Sequence, residues 1–197
     1  VSGGDEDSVA SGLIPGTYHV KIMDANGCLD TGEIVINSPD PLVLTSDSVA
    51  STCSGICDGI AIVKVIGGTT PYKYDWLENG NLDNDSAINV CANTYHVAVS
   101  DSNGCKDTAA VIVTQPVTIV ATILDTTEVT CFGGSDGRAA ISGSGGTQPY
   151  TYWWDDAMNQ TSDTAIGLEA GTYKAAVIDL NGCSDTVELT IETPLDW

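Results

Sequence analysis

Basic residues are scarce: six Lys and Arg stand against 27 Asp and Glu, for a formal net charge of −21. Nucleic acid and anionic membrane surfaces are excluded as partners, because their phosphates would repel such a chain. No apolar run approaches the roughly 18 residues a membrane span needs, so no membrane insertion is expected in this segment. The start has no secretory leader, which places any export signal outside this piece. Runs of Leu, Glu, Lys or Arg at helical spacing are missing as well. Zinc-type CxxC pairs are absent: the closest spacing is Cys53-x-x-x-Cys57, and there are only two histidines. No phosphate loop and no Ser/His/Asp set appears. The expectation is therefore a protein without a catalytic site.

What is present is β-forming: Thr, Val, Ile and Gly abound. Seven cysteines in such a chain point to disulfides made in an oxidising, extracellular setting. The dominant signal is a repeat. Thr17-Tyr18, Thr94-Tyr95 and Thr172-Tyr173 recur at spacings of 77 and 78 residues, and Asp-x-Asn-Gly-Cys recurs at Asp24–Cys28, Asp101–Cys105 and Asp179–Cys183. Gly67-Gly68 and Pro71-Tyr72 match Gly145-Gly146 and Pro149-Tyr150, while Pro39, Pro116 and Pro194 close the units. The organisation expected is the C-terminal half of a repeat at 1–39, complete repeats at 40–116 and 117–194, and the start of another at 195–197. Half a sandwich cannot bury its apolar face alone, so either a longer array or a neighbouring subunit is expected to supply the missing strands.

Aligning the copies separates the two faces of each strand. Ala61, Val63 and Val65 match Ala139, Ile141 and Gly143 as an inward set; Tyr95, Val97 and Val99 match Tyr173, Ala175 and Val177; Val111 and Val113 match Leu189 and Ile191. Such alternation denotes antiparallel sheets with one wet face. Trp76 and Trp154 share one site and are assigned to the core. The fold class read from this pattern is all-β: tandem immunoglobulin-like antiparallel β-sandwiches of about 78 residues. Asn-Gly between alternating runs predicts a hairpin with a primed turn, in which both residues take positive φ.

The run Cys-x-Gly, Asp-Gly, Gly-Gly-x-x-Pro-Tyr-x-Tyr-x-Trp, Gly-Thr-Tyr, Asp-x-Asn-Gly-Cys and Pro is best kept in Cys131–Pro194. It is slightly eroded in Cys53–Pro116, where Asn93 replaces the Gly of Gly-Thr-Tyr. This pattern resembles the SprB-type repeat of Bacteroidetes gliding-motility adhesins and related long cell-surface proteins. The resemblance implies a secreted surface adhesin or filament, exported by type IX secretion and not an enzyme. It also implies O-glycosylation at Asp-Ser/Thr followed by a small or apolar residue, which marks Ser8, Ser48, Ser86, Thr108, Thr126, Thr164 and Thr186. Simple inheritance between copies is the competing account of those sequences.

Cys53 and Cys105 stand 52 residues apart, as do Cys131 and Cys183, and repeat equivalence predicts these two pairings within repeats. Each closed loop is worth roughly 4 kcal/mol in the chain-entropy model. Cys57 and Cys91 occur only in the middle repeat and predict a second bridge there. Cys28 is left with a partner in the absent front half, or else as a free reactive thiol. His19 and His96 share an outward position that carries Lys174 in the third copy, so they read as surface residues. Asp155 and Asp156 beside Trp153 suggest glycoside chemistry, but Asp155 has Leu77 as its counterpart. Trp153, whose counterpart is Asp75, is the one candidate ligand-binding residue, either packing on a neighbour or stacking on a sugar. No cofactor is expected; structural calcium on Asp83, Asp85 and Asp136 is the alternative, although the remainder of an EF-hand loop is lacking. The function expected is a disulfide-stapled, semi-rigid stalk in an extracellular adhesin or filament. Its partners are neighbouring repeats or subunits, and the alternative is a module binding surface polysaccharide.

Overall fold

Period-two alternation gives strands wherever turn residues bound it, and the computed structural model follows that rule through residues 9–78 and 83–194, the part it describes. Among these residues there is no helix, and hence none long and apolar enough to cross a membrane. The first two strands, β1 (Gly16–Met23) and β2 (Leu29–Ile36), form an antiparallel hairpin. The middle repeat supplies β3 (Val43–Val49), β4 (Gly59–Ile66), β5 (Lys73–Trp76), β6 (Ser86–Val90), β7 (Asn93–Ser100) and β8 (Lys106–Val113). The third supplies β9 (Val120–Thr127), β10 (Gly137–Ser144), β11 (Thr151–Trp154), β12 (Thr164–Leu168), β13 (Gly171–Ile178) and β14 (Ser184–Ile191).

Each complete repeat is a six-stranded immunoglobulin-like sandwich of two antiparallel sheets. In the middle repeat the sheets run β3-β4-β6 and β5-β7-β8; in the third, β9-β10-β12 and β11-β13-β14. Corresponding strands lie 77 residues apart at β3/β9 and 78 apart from β4/β10 onward. The extra residue is visible. Pairing between β9 and β10 slips between Ala140 and Ile141, leaving Leu124 as a bulge, whereas β3 and β4 pair without a slip.

The inward sets close the cores. Ala61, Val63, Trp76, Val97, Val99, Val111 and Val113 are buried in one sandwich; Ala139, Ile141, Trp154, Ala175, Val177, Leu189 and Ile191 are buried in the other. Trp76 and Trp154 are fully enclosed, and each indole N–H donates to a main-chain carbonyl, of Asn84 and Ser162 respectively, at 2.9 Å. A buried indole therefore keeps its one polar atom satisfied. The hairpin β1-β2 carries the same alternation, yet Val20, Ile22 and Ile34 are exposed. Among the described residues no second sheet covers them.

The Gly-Gly-x-x-Pro-Tyr motif fastens each sandwich to the segment leading into it. Gly67 and Gly145 have φ of 74° and 73°, and a Cβ on either would strike a carbonyl oxygen of that segment, on Pro41 or Thr118. Only glycine meets both demands. The hydroxyls of Tyr72 and Tyr150 then donate to the carbonyls of Gly67 (2.6 Å) and Gly145 (2.5 Å).

Candidate functional site

The site that the sequence makes recurrent is the Asp-x-Asn-Gly-Cys corner. Asp101 gathers it: Oδ1 accepts from the amides of Asn103 (3.0 Å) and Cys105 (2.8 Å), and Oδ2 from that of Thr69 (3.0 Å). Asp179 does the same with Asn181 (2.9 Å), Cys183 (2.9 Å) and Thr147 (2.8 Å). Burial pushes both carboxyls up in pKa, but these amide donors outweigh it and hold them below the ordinary carboxylate value. Asp24 likewise accepts from Asn26 and Cys28. Only the glycine takes positive φ (83°, 84° and 84° at Gly27, Gly104 and Gly182), with its amide bonded to the Asp carbonyl. The corner is thus a three-residue hairpin loop with a glycine bulge, and the primed turn expected from Asn-Gly is corrected. The Asp carboxylate favours the alternative by bonding amides that a two-residue turn would place elsewhere.

At the opposite end of each sandwich lies the loop after the first strand. In the middle repeat the amide and hydroxyl of Thr52 donate to Asp58 (2.9 and 2.5 Å). In the third, Thr130 donates to Asp136 in the same way (3.0 and 2.6 Å). Ser51 and Val129 anchor these loops to Thr114 and Glu192, where the last strand of each repeat leaves.

The two kinds of end meet where the repeats join. The disulfide in the structure links Cys53 of the middle repeat to Cys183 of the third, with Cα atoms 5.7 Å apart. The joint is hydrogen-bonded too: Asn181 Nδ2 donates to the Thr52 carbonyl (3.1 Å), the Gly55 amide to Gln115 Oε1 (2.8 Å), and Ser54 pairs with Thr118 through their hydroxyls (2.8 Å). The pairings Cys53–Cys105 and Cys131–Cys183 expected from the sequence are therefore corrected. The reason is length. Cys53 follows β3 and Cys105 precedes β8, so within one repeat they sit at opposite ends of a sandwich spanned by strands of seven or eight residues, about 23 Å. End-to-end stacking, by contrast, lays the far end of one repeat on the near end of the next.

Cys57 and Cys91 form a second disulfide inside the middle repeat, tying the loop after β3 to the end of β6. Cys28, Cys105 and Cys131 are free and exposed.

The remaining candidates fall on the surface of the sandwiches. Ser48, Thr108, Thr126 and Thr186 are exposed on β3, β8, β9 and β14, and Ser86 and Thr164 are half-buried where β6 and β12 begin. Ser8 lies outside the described residues. Trp153 is 42% exposed on β11, an edge strand, opposite Ala176 of β13. His96 faces solvent, and its Nδ1 lies 2.6 Å from Glu78 Oε1. Asp83 accepts from the Tyr74 amide (2.9 Å), while Asp136 belongs to the other repeat and is occupied by Thr130. The structure does not bring the three proposed calcium ligands together. Asp155 accepts from the Lys174 amide at 2.8 Å, and Asp156 is buried beneath its own loop. Their separate structural roles displace the paired-acid reading. What sequence reasoning missed is the role of Asp156 with Gln160, because the copies align Asp156 with Glu78, which accepts from the His96 amide.

No curated protein is similar in sequence. In structure the chain is similar to the three N-terminal domains of the highly immunogenic outer capsid protein of bacteriophage RB49, at 12% identity over 78% of this chain and 59% of that one, with a TM-score of 0.48. It is also similar to the N-terminal eight Ig domains of Down Syndrome Cell Adhesion Molecule (12% identity, 91% and 26% covered, TM-score 0.39). A third likeness is to the C-terminal 282-residue fragment of intimin (16%, 89% and 57%, TM-score 0.34). The chain spans less than two thirds of each of these. Residues 123–159, from β9 through β11 of the third sandwich, match the family model of the SprB repeat, a stretch that holds Cys131, Gly145-Gly146 and Pro149-Tyr150.

Proposed function

We propose that this chain is a non-catalytic stalk segment of a long extracellular surface protein, an adhesin or filament, whose repeats are locked end to end. The observation that carries the reading is the joint between the two sandwiches. A covalent bond and two hydrogen bonds cross it, a third ties the Cys53 loop to Gln115 of the connector, and the connector between Val113 and Val120 is only six residues long. A flexible tether would need neither the bond nor the brevity. The acidic surface favours solubility, and Ser48, Thr108, Thr126 and Thr186 offer accessible positions for glycans of the type the SprB resemblance implies. Export by type IX secretion and a part in gliding motility follow from the same resemblance. No cofactor enters the reading; chelation is expected to leave Tm unchanged.

Small-angle scattering tests the proposal. The oxidised chain is expected to show one narrow distribution of end-to-end length, and Cys53→Ser to broaden it without unfolding either sandwich. Equal breadth in both proteins would overturn the locked-stalk reading. A second reading, recognition of surface polysaccharide, is supported by the exposed edge aromatic Trp153. Glycan-array binding that disappears in Trp153→Ala would establish it; absence of binding by the unaltered chain would dismiss it.

A further inference from the structure

Three cysteines are free, and the repeat places each of them. Cys131 is the equivalent of Cys53, while Cys28 and Cys105 are equivalents of Cys183. Both equivalents are bonded in this structure, to each other, across a joint. We infer that Cys131 and Cys105 are the two unfilled halves of further staples of this kind. Cys131 takes the Asn-Gly-Cys cysteine of a repeat that follows in the same polypeptide, and Cys105 takes the loop cysteine of a repeat that precedes.

Both halves already have the shape of their bonded counterparts. The Cys131 loop is held by Thr130 and Asp136 as the Cys53 loop is by Thr52 and Asp58. Gly133 repeats the positive φ of Gly55 (71° against 79°). The Cys105 corner is held by Asp101 as the Cys183 corner is by Asp179. Asn103 donates Nδ2 to Thr69 Oγ1 (2.9 Å), as Asn181 does to Thr147 Oγ1 (3.2 Å). In the filled joint that amide reaches the Thr52 carbonyl as well; at Asn103 that second donor bond is not made among the described residues. Phe132, three-quarters exposed, stands where the filled joint has Ser54. It would lie on the connector of the next repeat, burying apolar surface at the joint.

A repeat in the same chain is the favoured occupant because the connector is part of the joint. Gln115 and Thr118 both bond the Cys53 loop, so the covalent link brings the partner corner into register and raises its effective concentration. Bond formation is thiol–disulfide exchange. A thiol of the pair is first capped by oxidised glutathione, releasing one glutathione thiol. The partner thiolate then attacks the capped sulfur, expelling the second glutathione as thiolate, so two cysteine thiols are oxidised while one glutathione disulfide is reduced.

The inference rests on the stalk reading for its biological meaning only, and its test is separate. In one variant, a second copy of residues 117–194 follows Pro194 in the full chain. After oxidation with glutathione disulfide, non-reducing peptide mapping is expected to find Cys131 bonded to the added Asn-Gly-Cys cysteine, with Cys53–Cys183 retained. In a second variant, a copy of residues 40–116 is inserted between Pro39 and Asp40. There Cys105 is expected to bond the inserted copy's first loop cysteine. Cys131 or Cys105 remaining fully alkylatable in the folded variants would overturn the inference, as would exchange to Cys131–Cys183 or bonding only between molecules. None of these results bears on how stiff the existing joint is, which scattering on the unextended chain decides.

Discussion

The middle and third repeats share one frame but tie it differently. Both bury a tryptophan at the same strand end and both hang a corner on a buried aspartate. In the middle repeat the loop after the first strand is fixed covalently, by Cys57–Cys91. In the third those positions are Ser135 and Glu169, and the reinforcement moves to the loop after β11. There Asp156 accepts from the Gln160 amide and side chain (both 2.9 Å) and the Met158 amide (3.2 Å). Gln160 then bonds both main-chain groups of Ile166 in the middle of β12. The comparison teaches that positions setting the sandwich are held fixed between copies, whereas the devices that stiffen its loops are interchangeable.

Mutations can break this comparison at graded depth. The largest effect is expected at the shared core. Trp76→Ala and Trp154→Ala each remove a large buried side chain and leave a carbonyl without its donor, for a loss of about 3–5 kcal/mol in the repeat concerned. Denaturant unfolding should show one repeat melting early in each variant, and equal losses would mark the site as truly equivalent. Next comes the private staple. Replacing both Cys57 and Cys91 by alanine is expected to cost about 3–4 kcal/mol in the middle repeat, leaving the third unchanged in calorimetry. Asp156→Ala should cost about 1–3 kcal/mol, because the amides of Met158 and Gln160 and the half-buried Gln160 side chain lose their acceptor; it should spare the middle repeat. If either change spreads to both repeats, the ties are coupled through the joint.

The smallest difference is expected from acid. Asp101 and Asp179 titrate below their ordinary value when folded. A folded value below the unfolded one means their contribution is complete above the ordinary carboxylate range and disappears as pH falls through the lowered values. Circular dichroism should show both corners failing in the same acid window, and Asp101→Asn together with Asp179→Asn should flatten that loss.

The frame was legible because inheritance between copies cancels surface noise. Comparing Ala61, Val63 and Val65 with Ala139, Ile141 and Gly143 isolates an inward face that a single strand leaves ambiguous. The tryptophans and the sheet alternation could be read for the same reason, and the Cys57–Cys91 pair because both cysteines appear in the middle copy alone. The staple was not, because equivalence says which cysteines are alike and nothing about which copies meet. Strand parity would have supplied it. Cys53 comes one strand after a repeat begins and the corner one strand before it ends, so each is carried to the end opposite its own partner in sequence. The role of Asp156 and Gln160 escaped because the copies differ there: Asp156 aligns with Glu78, which accepts from the His96 amide. The turn at Asn-Gly was misread because a dipeptide rule cannot see a carboxylate two residues upstream.

Cys53–Cys183 also redraws the path that tension takes through the molecule. A pull applied at the two ends reaches residue 53, crosses one sulfur–sulfur bond and continues from residue 183. The intervening 130-residue separation is removed from the line of force, a contour of about 430–470 Å that cannot be paid out while the bond lasts. Strands β4 to β13 are spectators to stretching, and only the bond's reduction would return them to the rope.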